Sequence, residues 1–233
     1  MPFNIIRKNF RERFSEVLLN LAYIESVEPK EVTEEAPPYV KIQRGLYYVH
    51  LYSAFEKTVN EVVEQAILII KSKNVKNRHF ETAFNVISLN SKMQGFKSCG
   101  YRDYFSRSVD VFKSIGSDDS FEINNTIFSQ NLQNVWFETI QQLLDSFGMN
   151  RIAVEPRVRT TVDEIVDKRN AVAHGRETPT VVGERHRAKV LRNKTQEIQF
   201  FTDLFIDSFE TYISELAYIR QEHREKYAAG HDF

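Results

Sequence analysis

An all-α fold is what this chain of 233 residues predicts, and three observations predict it. Apolar residues recur at threes and fours along most of the sequence, the period of a helix with one buried face. No run alternates apolar and polar positions between hairpin-type turns, so no strand is expected. Pro156 opens one periodic stretch, and Gly148 and Gly175 close others, where a helix starts or stops.

The elements follow in chain order. A first helix is expected over about residues 5–24, with Phe10, Phe14, Val17, Leu18 and Leu21 on one face. Residues 25–35 hold five glutamates and one lysine, and Pro37 and Pro38 follow; residues 1–38 thus read as a helix plus a solvated acidic linker. A helical domain is expected over 39–233. It opens with a long helix over about 40–73, whose stripe Tyr48, Tyr52, Phe55, Val59, Val62, Ala66, Ile69 is unbroken and reads as core. An irregular insertion with short helices is expected at about 75–125. Further helices are expected over about 128–147 and 157–173, and the last runs over about 184–227 and is very long. The expected architecture is a helical bundle with a long second helix and a very long C-terminal one.

Composition narrows the function. The 42% hydrophobic and 27% charged content is that of a globular chain with a sizeable core. The single cysteine, Cys99, excludes a disulfide framework and a multi-cysteine metal site, and fits a reducing, cytoplasmic address. Arg7 and Lys8 come too early for a secretory apolar region, and no apolar run approaches the roughly 20 residues of a membrane span. A net charge of -1 excludes a protein that coats nucleic acid over its whole surface. The charge is uneven, however: residues 168–194 carry eight Lys or Arg against two Glu, so this window is +6 and the rest -7.

That window contains the segment with the most chemistry, Lys168 to Gly175. Along its helix the seam Val158, Val162, Ile165, Arg169, Val172 puts a guanidinium in a slot whose neighbours are apolar, where a charge needs a partner or a cleft. Asn170 and His174 share another face one turn apart, which sets an amide beside a group able to take up or give a proton. On the long helix a stripe from Ile42 to Ile70 is apolar at both ends and polar only around Glu56. A buried carboxylate there would need a cation or donors, and Arg169 or Asn170 would supply them if the two helices pack together.

Plainer readings stand beside these. Arg169 can serve a structural ion pair with Asp167 or Glu56, and His174 can be a helix C-terminal imidazole favoured by the macrodipole. Asp163 and Asp167 read as surface charges, and His50 as a half-buried, satisfied residue. Trp136, Phe137, Tyr101, Tyr104 and Phe105 read as core, with stacking on unpaired bases as the alternative.

Two segments resemble a known family. RNAVAHG (169–175), at a helix end before a polar loop, looks like the R-polar-x-x-x-H signature of the HEPN superfamily, all-helical domains many of which are metal-independent ribonucleases. RGLYYVHLYSAFEKTVNEVVE (44–64) resembles the long N-terminal helix of the prokaryotic RiboL-PSP-HEPN branch. The likeness covers about 39–227, loosely through 75–125.

The resemblance implies an endoribonuclease needing no metal or other cofactor. The 2′-hydroxyl of RNA would be the nucleophile, giving a 2′,3′-cyclic phosphate and a 5′-hydroxyl and sparing DNA. It implies His174 in proton transfer, Arg169 on the scissile phosphate, and Asn170 orienting the imidazole or donating to the phosphate. Glu56 would support the motif. Arg176, Arg185, Arg187 and Lys189 would hold the RNA backbone without reading sequence. Since no second arginine has a histidine five positions on, base and acid would come from two copies in a homodimer with a shared cleft. Such prokaryotic proteins are toxins or anti-phage effectors held in check by a partner protein, for which an exposed aromatic and basic surface on the last helix is expected. The alternatives are a non-catalytic helical dimerisation or adaptor module and a nucleotide-binding domain serving a nucleotidyltransferase.

Overall fold

The structure, a computed structural model, describes residues 3–31, 33–120 and 122–228. Ten α-helices and no strand are found among them: α1 (Asn4–Val27), α2 (Pro38–Ser72), α3 (Asn85–Ser88), α4 (Asn90–Lys97), α5 (Tyr104–Ile115), α6 (Phe137–Phe147), α7 (Pro156–Ala173), α8 (Pro179–Glu184), α9 (Ala188–Ser214) and α10 (Arg224–Ala228). None of these is long and apolar enough to cross a membrane.

The 35-residue α2 is the axis of the bundle, and α1, α7, α8 and α9 pack around it. Its aromatic stripe is buried, and Phe55 meets Phe201 of α9, which in turn meets Phe137 of α6. The face predicted for α1 is buried in the same core as α2 and α9. The contact between α2 and α8 is closest of all. A Cβ on Gly45 would fall 2.0 Å from the Pro179 carbonyl oxygen, and one on Gly183 would fall 1.8 Å from that of Lys41, so only hydrogen fits at either position.

Three expectations are corrected. The linker expected at 25–35 is not solvated throughout: residues 30, 31 and 33–35 are exposed, but the Glu28 carboxylate is only 10% exposed, pairs with buried Arg44, and accepts the Ala188 N–H at 3.1 Å where α9 begins. Glu25 pairs with Arg192 at 2.6 Å. The helix expected from 128 starts at Phe137. Residues 131–133 form a 3₁₀ turn, and Asp163 of α7 accepts the Phe137 N–H at 2.9 Å, so a carboxylate from elsewhere in the chain sets the helix start. Finally, the very long last helix is broken twice. Residues 185–187 separate α8 from α9, and Leu216 adopts φ +50, with its N–H on the Ile213 carbonyl and that of Ala217 on Tyr212, a Schellman ending.

Beyond that turn the chain doubles back. Ile219 bridges Phe80, and the Tyr227 hydroxyl lies 2.8 Å from His79 Nδ1. The His79 ring, itself buried, stacks on His223 at 3.9 Å and accepts from Arg78 Nε–H at 3.3 Å. Burial, with His223 and nearby cations, holds the His79 pKa below its ordinary 6.5. The unfolded chain therefore takes up this proton more readily than the folded one. Stability from this group is full above about pH 6.5 and falls as pH drops from there through the lower folded value. Urea midpoints compared at pH 7.5 and 5.5 are expected to fall in acid, and the fall should be smaller in His79→Gln.

Candidate functional site

Arg169 and Asn170 lie in the penultimate turn of α7, and His174 caps its end. The helix stops because Gly175 takes φ +69, a left-handed conformation open to glycine; the His174 N–H still reaches the Asn170 carbonyl at 3.0 Å, while Glu177 N–H returns to Ala171 at 3.1 Å. This turn leaves His174 exposed, and among the described residues its imidazole has no hydrogen-bond partner.

The apolar slot predicted for Arg169 is filled by an aromatic platform. Its guanidinium lies over the Tyr52 ring, 4.0 Å from the centroid, and the side chain is 16% exposed. Nη1 donates to Asn170 Oδ1 at 2.7 Å and Nη2 to the Gln133 carbonyl at 2.9 Å, with Glu56 Oε2 at 3.5 Å. Three of its five N–H donors are thus engaged. Glu56 is half-buried, and burial raises its pKa against the pull of Arg169. Asn170 orients the guanidinium rather than the imidazole: its Nδ2 donates to Asn134 Oδ1 at 2.9 Å, and neither end of its amide bonds the His174 ring.

Tyr52, Gln133 and Asn134 belong to this site and were not singled out for it by the sequence. The Tyr52 hydroxyl donates to the Gln133 carbonyl at 3.1 Å and accepts the Val135 N–H at 3.0 Å, so residues 133–135 form a wall clamped to α2 below and α7 beside it. Burial pushes the Tyr52 phenol up to about 12, which keeps it neutral and able to donate. In the sequence Tyr52 is one member of an unbroken apolar stripe, and nothing there sets it apart.

The basic window is largely matched by carboxylates. Arg176 pairs with Asp167 at 2.5 Å, Arg185 with Glu177 at 2.9 Å, and Lys194 with Glu164 at 2.6 Å. Arg187 donates to the Pro29 and Glu31 carbonyls and lies 3.5 Å from Glu28, tying down the segment after α1. Of the four residues expected to hold RNA, Lys189 alone carries no ion pair among the described residues. A second histidine is partly enclosed nearby. His186 Nδ1 is 2.8 Å from the Tyr48 hydroxyl and 3.5 Å from Glu164; burial lowers its pKa although Glu164 opposes this. This network locks the start of α9 to α2 and α7.

Two aromatic expectations divide. Phe137 is buried and Trp136 half-buried, but Tyr101, Tyr104 and Phe105 are exposed on and beside α5, not core. The aromatic residues of α9 are mostly interior instead: Phe201, Phe205 and Phe209 are fully buried. Asp163 is no free surface charge, since it holds the start of α6, and His50 meets Asn20 at 3.2 Å. Among the described residues no three His, Cys, Asp or Glu side chains gather where a metal ion could be held.

A family model described as RiboL-PSP-HEPN matches residues 8–215, which take in most of α1 and the whole of α2 through α9. No curated protein matches the chain, and no solved structure does.

Proposed function

The chain belongs to the RiboL-PSP-HEPN family, and on that premise we propose that it is a metal-independent endoribonuclease acting through the end of α7. The observation that carries this reading is an unpartnered, exposed imidazole at His174 together with a guanidinium held rigidly on Tyr52, five residues earlier on the same helix.

In the proposed reaction a neutral His174 takes the proton of a ribose 2′-hydroxyl. The oxygen attacks the adjacent phosphorus in line, and the bond from phosphorus to the 5′-oxygen breaks. A protonated His174 from a second copy gives its proton to that leaving oxygen, so a 2′,3′-cyclic phosphate and a 5′-hydroxyl result. Arg169 uses its two remaining donors on the non-bridging oxygens, where negative charge grows. Asn170 and Glu56 keep the guanidinium aimed, and Lys189 with Arg176 and Arg185 approaches the flanking phosphates. The active unit is a homodimer with a shared cleft, and the biological role is that of a cytoplasmic toxin or defence effector restrained by a partner protein.

A second reading, a helical dimerisation or adaptor module, is favoured by one observation: three of the five Arg169 donors already serve the fold. One experiment separates the two. The purified protein is incubated with single-stranded and structured RNA in excess EDTA, and product ends are identified. Cleavage that survives chelation and leaves cyclic phosphates supports the nuclease. Intact RNA together with a stable dimer on gel filtration supports the adaptor, and a monomer that cleaves would remove the shared cleft.

A further inference from the structure

The helical hairpin of α4 and α5 stands at the far end of the bundle from the α7 motif. Asn77, five residues past the end of α2, donates to the Ser114 carbonyl at 2.9 Å, and Lys76 pairs with Asp118 at 2.6 Å, so the hairpin is anchored beyond the α2 C-terminus. Tyr52 lies twenty residues before that terminus, about 30 Å along the helix axis. On this hairpin Tyr101 is 91% exposed, Phe105 73% and Phe112 74%, with Val109, 50% exposed, between the last two. They follow one another at spacings of four, four and three, so they form one stripe along α5. Behind it Tyr104 sits against Phe96 of α4 at 5.1 Å and edge-on to Phe105 at 5.4 Å, which fixes the stripe in place.

The charge around the stripe is unlike that of the 168–194 window. Lys97, Arg102 and Lys113 are all exposed and carry no ion pair among the described residues, whereas Asp110 is taken by Lys92. Among the described residues from α4 to the end of α5, Asp103 is the one acid left without an ion pair. Exposed ring faces beside uncompensated cations suit a ligand with flat π-faces and a continuous negative charge.

We propose that the α4–α5 hairpin is a docking platform for single-stranded RNA. The rings stack on unpaired bases while the three cations track the phosphates. The rings span about 16 Å from Tyr101 to Phe112. A stacked strand advances about 3.4 Å per nucleotide, so roughly five nucleotides are covered, within the size of known single-strand sites. About nine more would reach the α7 motif, so the platform favours long, unstructured substrates. This inference rests on the ribonuclease reading for its ligand class but not on catalysis.

The test therefore uses the His174→Ala protein, which binds without cutting, and a fluorescein-labelled 20-nucleotide single-stranded RNA followed by anisotropy. Phe105→Ala combined with Phe112→Ala is expected to weaken binding at least tenfold, since each base stack contributes roughly 5- to 150-fold. Arg102→Glu with Lys113→Glu should lower the slope of log K against log salt by about 1.4. These side chains are exposed, and an unchanged circular-dichroism melt confirms that the fold is kept. Unaltered RNA affinity in both variants overturns the platform. So does a wild-type dimer that the ring substitutions dissociate without loss of RNA affinity, because the stripe would then be an interface between copies. Cleavage in EDTA by the protein with His174 in place, together with unaltered ring-variant affinity, sinks this inference alone; ring-dependent binding with no cleavage by that protein sinks the nuclease reading alone.

Discussion

His174→Ala is expected to reduce RNA cleavage by 10²- to 10⁴-fold while leaving fold and assembly intact. The magnitude is that of a general acid–base group, about 3–5.5 kcal/mol of barrier at 1.36 kcal/mol per decade. The separation of effects comes from geometry: the imidazole is exposed and unpartnered, so its removal leaves no hole and no orphaned donor. Arg169→Ala makes the informative contrast. It also strips the cation from half-buried Glu56 and the donor from the Gln133 carbonyl, so it should cost stability as well as rate. Single-turnover cleavage and thermal melts on the two variants check this. A His174→Ala protein that cuts like wild type removes the mechanism.

The largest expected effect on stability comes from Gly183→Ala and Gly45→Ala. The added methyl would sit 1.8–2.0 Å from a backbone carbonyl oxygen of the facing helix, and backbone, unlike a flexible side-chain tip, has no alternative rotamer. Relief requires α8 to lift from α2, which would open the packing around Val182, now fully buried. A loss of about 4 kcal/mol or more is expected, or roughly 8–16 °C in melting temperature for a chain of this size. Gly95→Ala is the control. Its added Cβ meets nothing within 4 Å on a helix, so it should be neutral or raise stability by up to about 1 kcal/mol. Calorimetric scans of the three variants decide; a Gly183→Ala protein that melts with the wild type would refute the close approach.

The parts legible in the sequence are those set by local rules. Periodicity and end signals place α1, α2 and α7 within a few residues, since Pro156 and Gly175 act on their own neighbours. The parts that were missed are decided at a distance. Phe128 and Leu132 continue a helical spacing, yet α6 waits for Phe137 because Asp163 and Tyr52 fix the preceding segment. The last helix breaks at Leu216, a residue type that rarely adopts a left-handed turn, so composition gives no warning. Part of the positive window looked open because two of its matching carboxylates, Glu25 and Glu28, lie about 160 residues earlier. Tyr101 and Phe105 were read as interior because large rings are mostly buried; only the tertiary arrangement shows nothing covering them.

Tyr52 joins two regimes that enzymes often keep apart. Its ring is interior, 1% exposed, and the same ring is the floor on which Arg169 rests. The grip proposed for Arg169 thereby inherits the rigidity of the close-packed interior. Ordering of this arginine is completed when the chain folds, so in the proposed reaction a phosphodiester would meet a cation already aimed and lose little affinity to arranging it.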